Sequence, residues 1–287
     1  MVAKLEELES PAPLLSFVAD ERRNWTGHHR VSVVIPAMNE AKNLPHVLPR
    51  IPGWVDEVVL VDGRSTDGTA EVALGLLPSI RIVEQEGKGK GAALRSGFAA
   101  ASGDIIVMLD ADGSMDPAEI HAYVGQLLAG ADFVKGSRFM QGGGTSDMTA
   151  LRRAGNWGLT QLVRGLIGGR FSDLCYGYAA FWARLLPTLA LTADGFEIET
   201  EMNLHALQAK LRVVEVASFE AERIHGESNL STFRDGWRVV KVIGRQASQG
   251  FCREWTGLWK QSVGALVGTT TLSAPMLDLE QEHAAGD

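Results

Sequence analysis

The chain has 287 residues, 45% hydrophobic and 22% charged, enough apolar material for one large domain or two small ones. This composition excludes a collagen-like, disulfide-stapled or wholly disordered protein. Basic residues number 27 and acidic ones 35, and the resulting net charge of −8 argues against a nucleic-acid partner.

Residues 1–29 show no sustained periodicity and read as an N-terminal extension. The opening MVAKLEELESPAP is acidic and lacks the basic head and apolar run of a secretory signal. VSVVIP (31–36) is a short β-branched run that predicts a buried strand. A helical stretch is expected from Glu40 onward, then a second buried strand, EVVLVD (57–62). TDGTAEVALGLL predicts a helix capped by Thr66 or Asp67. A strand IRIVE (80–84), a helix GKGAALRSGFAAA and a strand DIIVMLD (104–110) complete the first half. Strands and helices alternate about every 20–25 residues, the pattern of βαβ units with right-handed crossovers around a parallel sheet.

The second half is less regular. ADFVKGSRF holds a further strand, Gly142–Gly144 signal a loop, and a long helix is expected from Asp147 to Gly168. Another helix is predicted around 198–210, a last strand at RVVEVA (212–217), and a helix starting near Ser231. The residues after 268 read as a solvated tail. The expected division is an extension (1–29), one α/β domain (30–245, with halves 30–140 and 141–245), and a C-terminal helix and tail (246–287). Only two cysteines, Cys175 and Cys252, fit a reducing compartment. No run reaches the roughly 18 apolar residues of a membrane span, so the expected location is cytoplasmic, touching a membrane at most from outside.

In open α/β sheets ligands bind beyond the carboxyl ends of the strands. There stand Pro36-Ala37-Met38-Asn39-Glu40, Asp62-Gly63-Arg64-Ser65 and Asp110-Ala111-Asp112-Gly113, all rich in polar or acidic groups. The first is no dinucleotide fingerprint, and Lys88 and Lys90 are each followed by glycine rather than the Ser or Thr of a P-loop. Asp110 and Asp112 form the sharpest pair. Directly after the apolar run IIVML, a turn can aim both carboxylates at one Mg²⁺ or Mn²⁺. GKGKGAALRSG (87–97) opens a helix whose free N–H groups, with Lys90 and Arg95, suit a phosphate.

VVIPAMNE, VLVDGRSTDGT, GKGAALRSG and MLDADGSMDP, in this order and spacing, resemble the nucleotide-sugar-binding half of family-2 glycosyltransferases with the GT-A fold. GSRF (136–139), SDLCYGYAAFW (172–182), GFEIETEM (195–202) and ERIHGESNLS (222–231) are most similar to the dolichyl-phosphate mannose synthase and bacterial polyprenyl-phosphate branch. The resemblance implies a single α/β domain with a Rossmann-like, mainly parallel central sheet flanked by helices. It implies that Pro36, Ala37, Asn39 and Glu40 line the nucleoside pocket, Asp62 contacts the base, and Lys90 and Arg95 border the phosphates. Asp110, Ala111 and Asp112 then meet the metal-bridged diphosphate. Gly63 stands where many members have a second acid, which leaves uracil and guanine both open. Asp173 matches an acid near the acceptor, and Glu199 and Glu201 match the region that supplies a base in many inverting members. Arg223, His225 and Ser228 match a segment that closes over the phosphates, with His225 either a third metal ligand or a solvated side chain.

The implied reaction is an inverting transfer from a UDP- or GDP-sugar to a polyprenyl phosphate. A soluble or saccharide hydroxyl acceptor, as in phosphoglycerate glycosyltransferases, is the alternative. A non-catalytic nucleotide-binding module is the alternative of another class. A lipid acceptor implies a peripheral membrane contact, for which LTQLVRGLIGGRF (159–171) offers Leu159, Leu162, Val163 and Leu166 at helical spacing, with Arg164 and Arg170.

Overall fold

The computed structural model describes residues 28–227 and 231–248. β1 (Val31–Ala37) is buried almost throughout and shows why a β-branched run makes a central strand. Its odd positions Val31, Val33, Ile35 and Ala37 enter one core layer, while Val34 enters the layer on the opposite face. Ser32, on that second face, satisfies itself by donating to Glu57 and accepting from the Gly103 N–H. β2 (Glu57–Asp62), β3 (Arg81–Glu84) and β4 (Ile105–Met108) are parallel to β1 in the order β3-β2-β1-β4.

The helices of this half are short. α1 (Leu44–Val47) and the 3₁₀ turn Leu48–Arg50 replace one longer helix, because Pro49 lacks the N–H that would continue it. α2 (Thr69–Leu76) is capped by Gly68 in the left-handed region (φ +82°), a conformation that suits glycine better than Thr66 or Asp67. The Asp67 carboxylate instead accepts from the Thr69 and Ala41 N–H groups, tying the helix start to the loop after β1. α3 (Lys90–Ala100) lies close on the sheet. A Cβ on Gly97 would come within 2.4 Å of Val34 and 2.7 Å of Val61, so only glycine fits there.

Several elements go beyond those expected. α4 (Ile120–Leu128) buries Ile120, Tyr123, Val124 and Leu127 at helical spacing on the first core layer. β5 (Phe133–Ser137) follows, and β6 (Gly144–Thr145) forms inside the expected glycine loop. α5 (Ala150–Leu166) precedes β7 (Ala179–Trp182), likewise not expected, which inserts antiparallel between β4 and β5. After α6 (Leu186–Leu189) and α7 (Ile198–Gln208), β8 (Val213–Ala217) pairs parallel with β5 at the sheet edge. β9 (Phe219–Glu220) pairs with β6, and α8 occupies described residues 232–248.

The seven-stranded sheet runs β3-β2-β1-β4-β7-β5-β8, parallel except for β7. α1 and α4 cover one face, and α3 and α7 the other. A third apolar cluster joins Val163 of α5, Leu204 of α7 and Val239, Val242 and Ile243 of α8. α5 therefore splits the expected lipid-facing stripe. Val163 and Leu159 pack inward, whereas Leu162 and Leu166 are exposed. Among the described residues, no helix is long and apolar enough to cross a membrane.

Candidate active site

Beyond the carboxyl ends of β1 and β4 the chain leaves a cavity of about 560 Å³. Pro36, Ala37, Glu40, Lys90, Asp110, Ala111, Asp112, Glu199 and Arg223 line it. The turn after β4 brings both aspartates to this wall while Ala111 is buried against the first core layer. Gly113 makes the turn possible. Its φ is +81°, and a Cβ there would sit 2.5 Å from Ile224 Cδ1. The 221–224 segment lies across the turn, with the Ala221 N–H donating to Ser114 O and the Ile224 N–H to Asp112 O.

Lys90 is the electrostatic centre. Its ammonium lies 2.7 Å from Asp110 Oδ1 and 2.7 Å from Glu199 Oε1. Burial alone would lower the Lys90 pKa, but the charges of Asp110 and Glu199 outweigh it and hold the ammonium protonated. Glu199 shifts upward, because burial and the Asp110 charge outweigh the pull of Lys90. Arg223 closes the other side, 2.9 Å from Glu40 and 3.5 Å from Asp112. Glu40 also accepts from Asn43 Nδ2 at 2.6 Å.

Several expected site residues lie elsewhere. Asn39, at φ +60°, accepts from the Thr66 N–H, and the Asp62 carboxylate accepts from the Ser65 N–H. Both shape the loops after β1 and β2 and are absent from the cavity wall. The start of α3 is no open phosphate cradle, because the Gly91 and Ala92 N–H groups both donate to Asp194 O. Arg95 turns to the same loop, pairing with Asp194 at 2.6 Å and donating to Ala193 O, and does not line the cavity. Glu201 holds that loop from beneath, accepting from the Thr192 and Ala193 N–H groups and the Thr192 hydroxyl.

Asp173 is completely buried and does not reach the cavity. Arg138 grips it through Nε at 2.7 Å and Nη2 at 2.9 Å, and spends Nη1 on Glu220. Burial would raise the Asp173 carboxyl, yet the Arg138 hydrogen bonds and the Lys135 and Arg138 charges hold it below the usual range. A carboxylate held below its usual range and gripped by Arg138 is a weak base, and it stands apart from the cavity wall. His225 is exposed, and its carbonyl accepts from Asn43 and Arg223. Among the described residues no three His, Cys, Asp or Glu side chains stand together as a metal-binding group. Ser228 lies outside the described residues.

Other residues line the cavity without having been expected from sequence: Gln85 after β3, Arg138 after β5, Asn156 on α5, Thr200 on α7 and Arg238 on α8. Gln85 follows a strand in the same manner as Asp62 and Asp110, so its signal was present. The helix residues carry none, because their direction depends on tertiary packing.

The Glycosyl transferase family 2 model matches residues 32–189, and the chain belongs to that family. It has the GT-A fold and is a glycosyltransferase. The undecaprenyl-phosphate mannosyltransferase of Micrococcus luteus is 31% identical over 80% of this chain and 97% of its own. The polyprenol monophosphomannose synthase of Mycolicibacterium smegmatis is 31% identical over 70% and 81%. These relatives support the resemblance to the polyprenyl-phosphate branch. Among solved structures, glucosyl-3-phosphoglycerate synthase from Mycobacterium tuberculosis, in complex with Mn²⁺, UDP-glucose and phosphoglyceric acid, superposes with a TM-score of 0.63. It is 25% identical, over 80% of this chain and 83% of that one.

The donor set on the β4 turn fits a divalent cation. Two partly exposed carboxylates supply hard oxygens, and substrate phosphates and water complete such a shell. Glu201, by contrast, acts on the 192–194 loop. Glu201→Gln is expected to cost about 1–3 kcal/mol of stability, since it weakens a charged acceptor of buried N–H groups. Turnover per folded molecule should stay at the wild-type value, measured by melting and initial rates side by side.

Proposed function

We propose that the chain transfers a hexose from a UDP- or GDP-sugar to a polyprenyl phosphate, with inversion at the anomeric carbon. The observation that carries the reading is the D-A-D turn presenting both carboxylates to the cavity beside Lys90, in a chain related to named polyprenyl-phosphate mannosyltransferases. Pro36, Ala37 and Glu40 bound the nucleoside end, with Asn39 and Asp62 fixing the loops around it. Asp110 and Asp112 would hold Mg²⁺ or Mn²⁺, which when bound neutralises the negative charge that develops on the departing diphosphate. Lys90 fixes the Asp110 and Glu199 carboxylates in place, and Arg223 adds positive charge from the 221–224 segment.

A phosphate acceptor is ionised at neutral pH and needs no base to attack the anomeric carbon. The buried ion-paired acids are compatible with that chemistry, because none has to accept a proton. A hydroxyl acceptor is the second reading, favoured by one observation. Glu199 lines the cavity with its carboxyl pushed upward by burial, as a general base requires. For a lipid acceptor, exposed Leu162 and Leu166 on α5 and Phe233 and Trp237 on α8 supply apolar contact with a bilayer surface.

The test is a donor panel. The pure protein is incubated with UDP- and GDP-sugars, Mn²⁺ or Mg²⁺ and polyprenyl phosphate in liposomes, and the lipid phase is read by mass spectrometry. A sugar-phosphate lipid from one donor is the expected result. No lipid product from any donor, together with a glycosylated soluble acceptor, would replace this reading with the second.

A further inference from the structure

The two carboxylates that the β4 turn offers to a cation are each matched by a positive charge of the protein's own. Lys90 reaches both oxygens of Asp110, Oδ1 at 2.7 Å and Oδ2 at 2.8 Å. Ser114 engages Asp112 Oδ1 through its N–H at 3.0 Å and its hydroxyl at 2.7 Å. That leaves Asp112 Oδ2, and Arg223 Nη2 stands 3.5 Å from it. The same guanidinium grips Glu40, with Nη1 and Nη2 each 2.9 Å from Oε1. One side chain thus spans the acid assigned to the nucleoside end and an acid assigned to the cation. A divalent ion on Asp112 Oδ2 and a guanidinium beside it repel one another, so the two compete for that oxygen.

The two protein cations differ in their freedom to leave. Lys90 opens α3, whose next two N–H groups are tied to Asp194 O, and it is clamped between Asp110 and Glu199. Arg223 belongs to no helix or strand, lines the cavity, and keeps 20% of its side chain exposed. Its planar fork pairs with a phosphate as well as with a carboxylate. A diphosphate entering the cavity therefore offers Arg223 a new partner, and its departure frees Asp112 Oδ2.

We propose that Arg223 is an internal competitor for the cation site and makes cation binding depend on the donor. The donor diphosphate draws the guanidinium away from Glu40 and Asp112, and the released oxygen is then open to the ion. This rests on the glycosyl-transfer reading above. By linkage, the ion and the diphosphate each tighten the other by the same factor. The test measures Mn²⁺ binding by the spin resonance of the free ion, with and without UDP or GDP. Wild type is compared with Arg223→Gln and Arg223→Ala, which remove the charge, and with Arg223→Lys, which keeps it. Without nucleotide, the two neutral variants are expected to bind Mn²⁺ about tenfold more tightly than wild type, the scale of one charged hydrogen bond removed. Arg223→Lys should stay near wild type. The factor by which the diphosphate tightens Mn²⁺ should shrink in both neutral variants. A merely structural arginine would leave Mn²⁺ affinity unchanged or lower it on removal. Unchanged or weaker Mn²⁺ binding in the neutral variants, or an undiminished tightening by the diphosphate, would overturn the competitor. A wild type that binds neither UDP nor GDP at any Mn²⁺ concentration would overturn the functional reading itself, a separate result seen before any variant is made.

Discussion

Asp110→Asn is expected to lower glycosyl transfer about 10²–10³-fold while leaving the fold in place, on the scale of losing one group that stabilises developing charge. The side chain is partly exposed at the end of β4 and contributes to no apolar cluster, so its loss opens no cavity in the core. Asparagine still accepts from Lys90 but brings no charge to a cation. Asp112→Asn is expected to behave alike, since Asp112 also lines the cavity, with Oδ1 held by Ser114 at 2.7 Å and Oδ2 3.5 Å from Arg223. Rates measured against Mn²⁺ concentration, beside thermal melts, check both variants. Near-wild-type turnover that still requires metal would remove these two acids from the cation site.

The second large effect concerns stability. Asp173→Asn is expected to cost about 3–5 kcal/mol of folding free energy, because it takes the bidentate carboxylate from a buried Arg138 guanidinium and leaves it only Glu220 as counter-ion. The double variant Asp173→Asn/Arg138→Gln should recover part of that loss, as removing both charges avoids an unpaired ion. The same pair gives a pH signature. A carboxyl held below its unfolded value, about 3.9, stabilises the fold above that pH and loses its contribution as pH falls through the lower folded value. Wild type should therefore lose stability below about pH 4 more steeply than Asp173→Asn. Urea melts across this range measure the slope. Full stability with abolished transfer in Asp173→Asn would return this acid to the reaction.

These two residues show what a sequence can and cannot disclose. Asp110 was legible because a buried parallel strand is a continuous apolar run, and its carboxyl end is where such sheets bind ligands. β1, β2 and β4 were legible for the same reason. Asp173 was legible only as a motif position. Its partner Arg138 follows β5, and no local spacing foretells that the two meet in the interior. Arg95 and the first turn of α3 were misplaced on similar grounds, since the carbonyls of Ala193 and Asp194 come from a distant loop. β7 escaped because AAFW is four residues long, without alternation, and takes its place only by pairing with β4 and β5. α4 was the opposite case, with its helical pattern of Ile120, Tyr123, Val124 and Leu127 plainly present.

The most direct measurement is a competition between acceptors. One labelled donor, Mn²⁺ and the wild-type protein are supplied with equal amounts of polyprenyl phosphate and 3-phosphoglycerate, and the label is partitioned between organic and aqueous phases. Transfer to the phosphate of the lipid predicts label in the organic phase as a sugar-phosphate lipid, absent with Asp110→Asn. Label found only in glycosylated phosphoglycerate would contradict the account and assign Glu199 the work of a base.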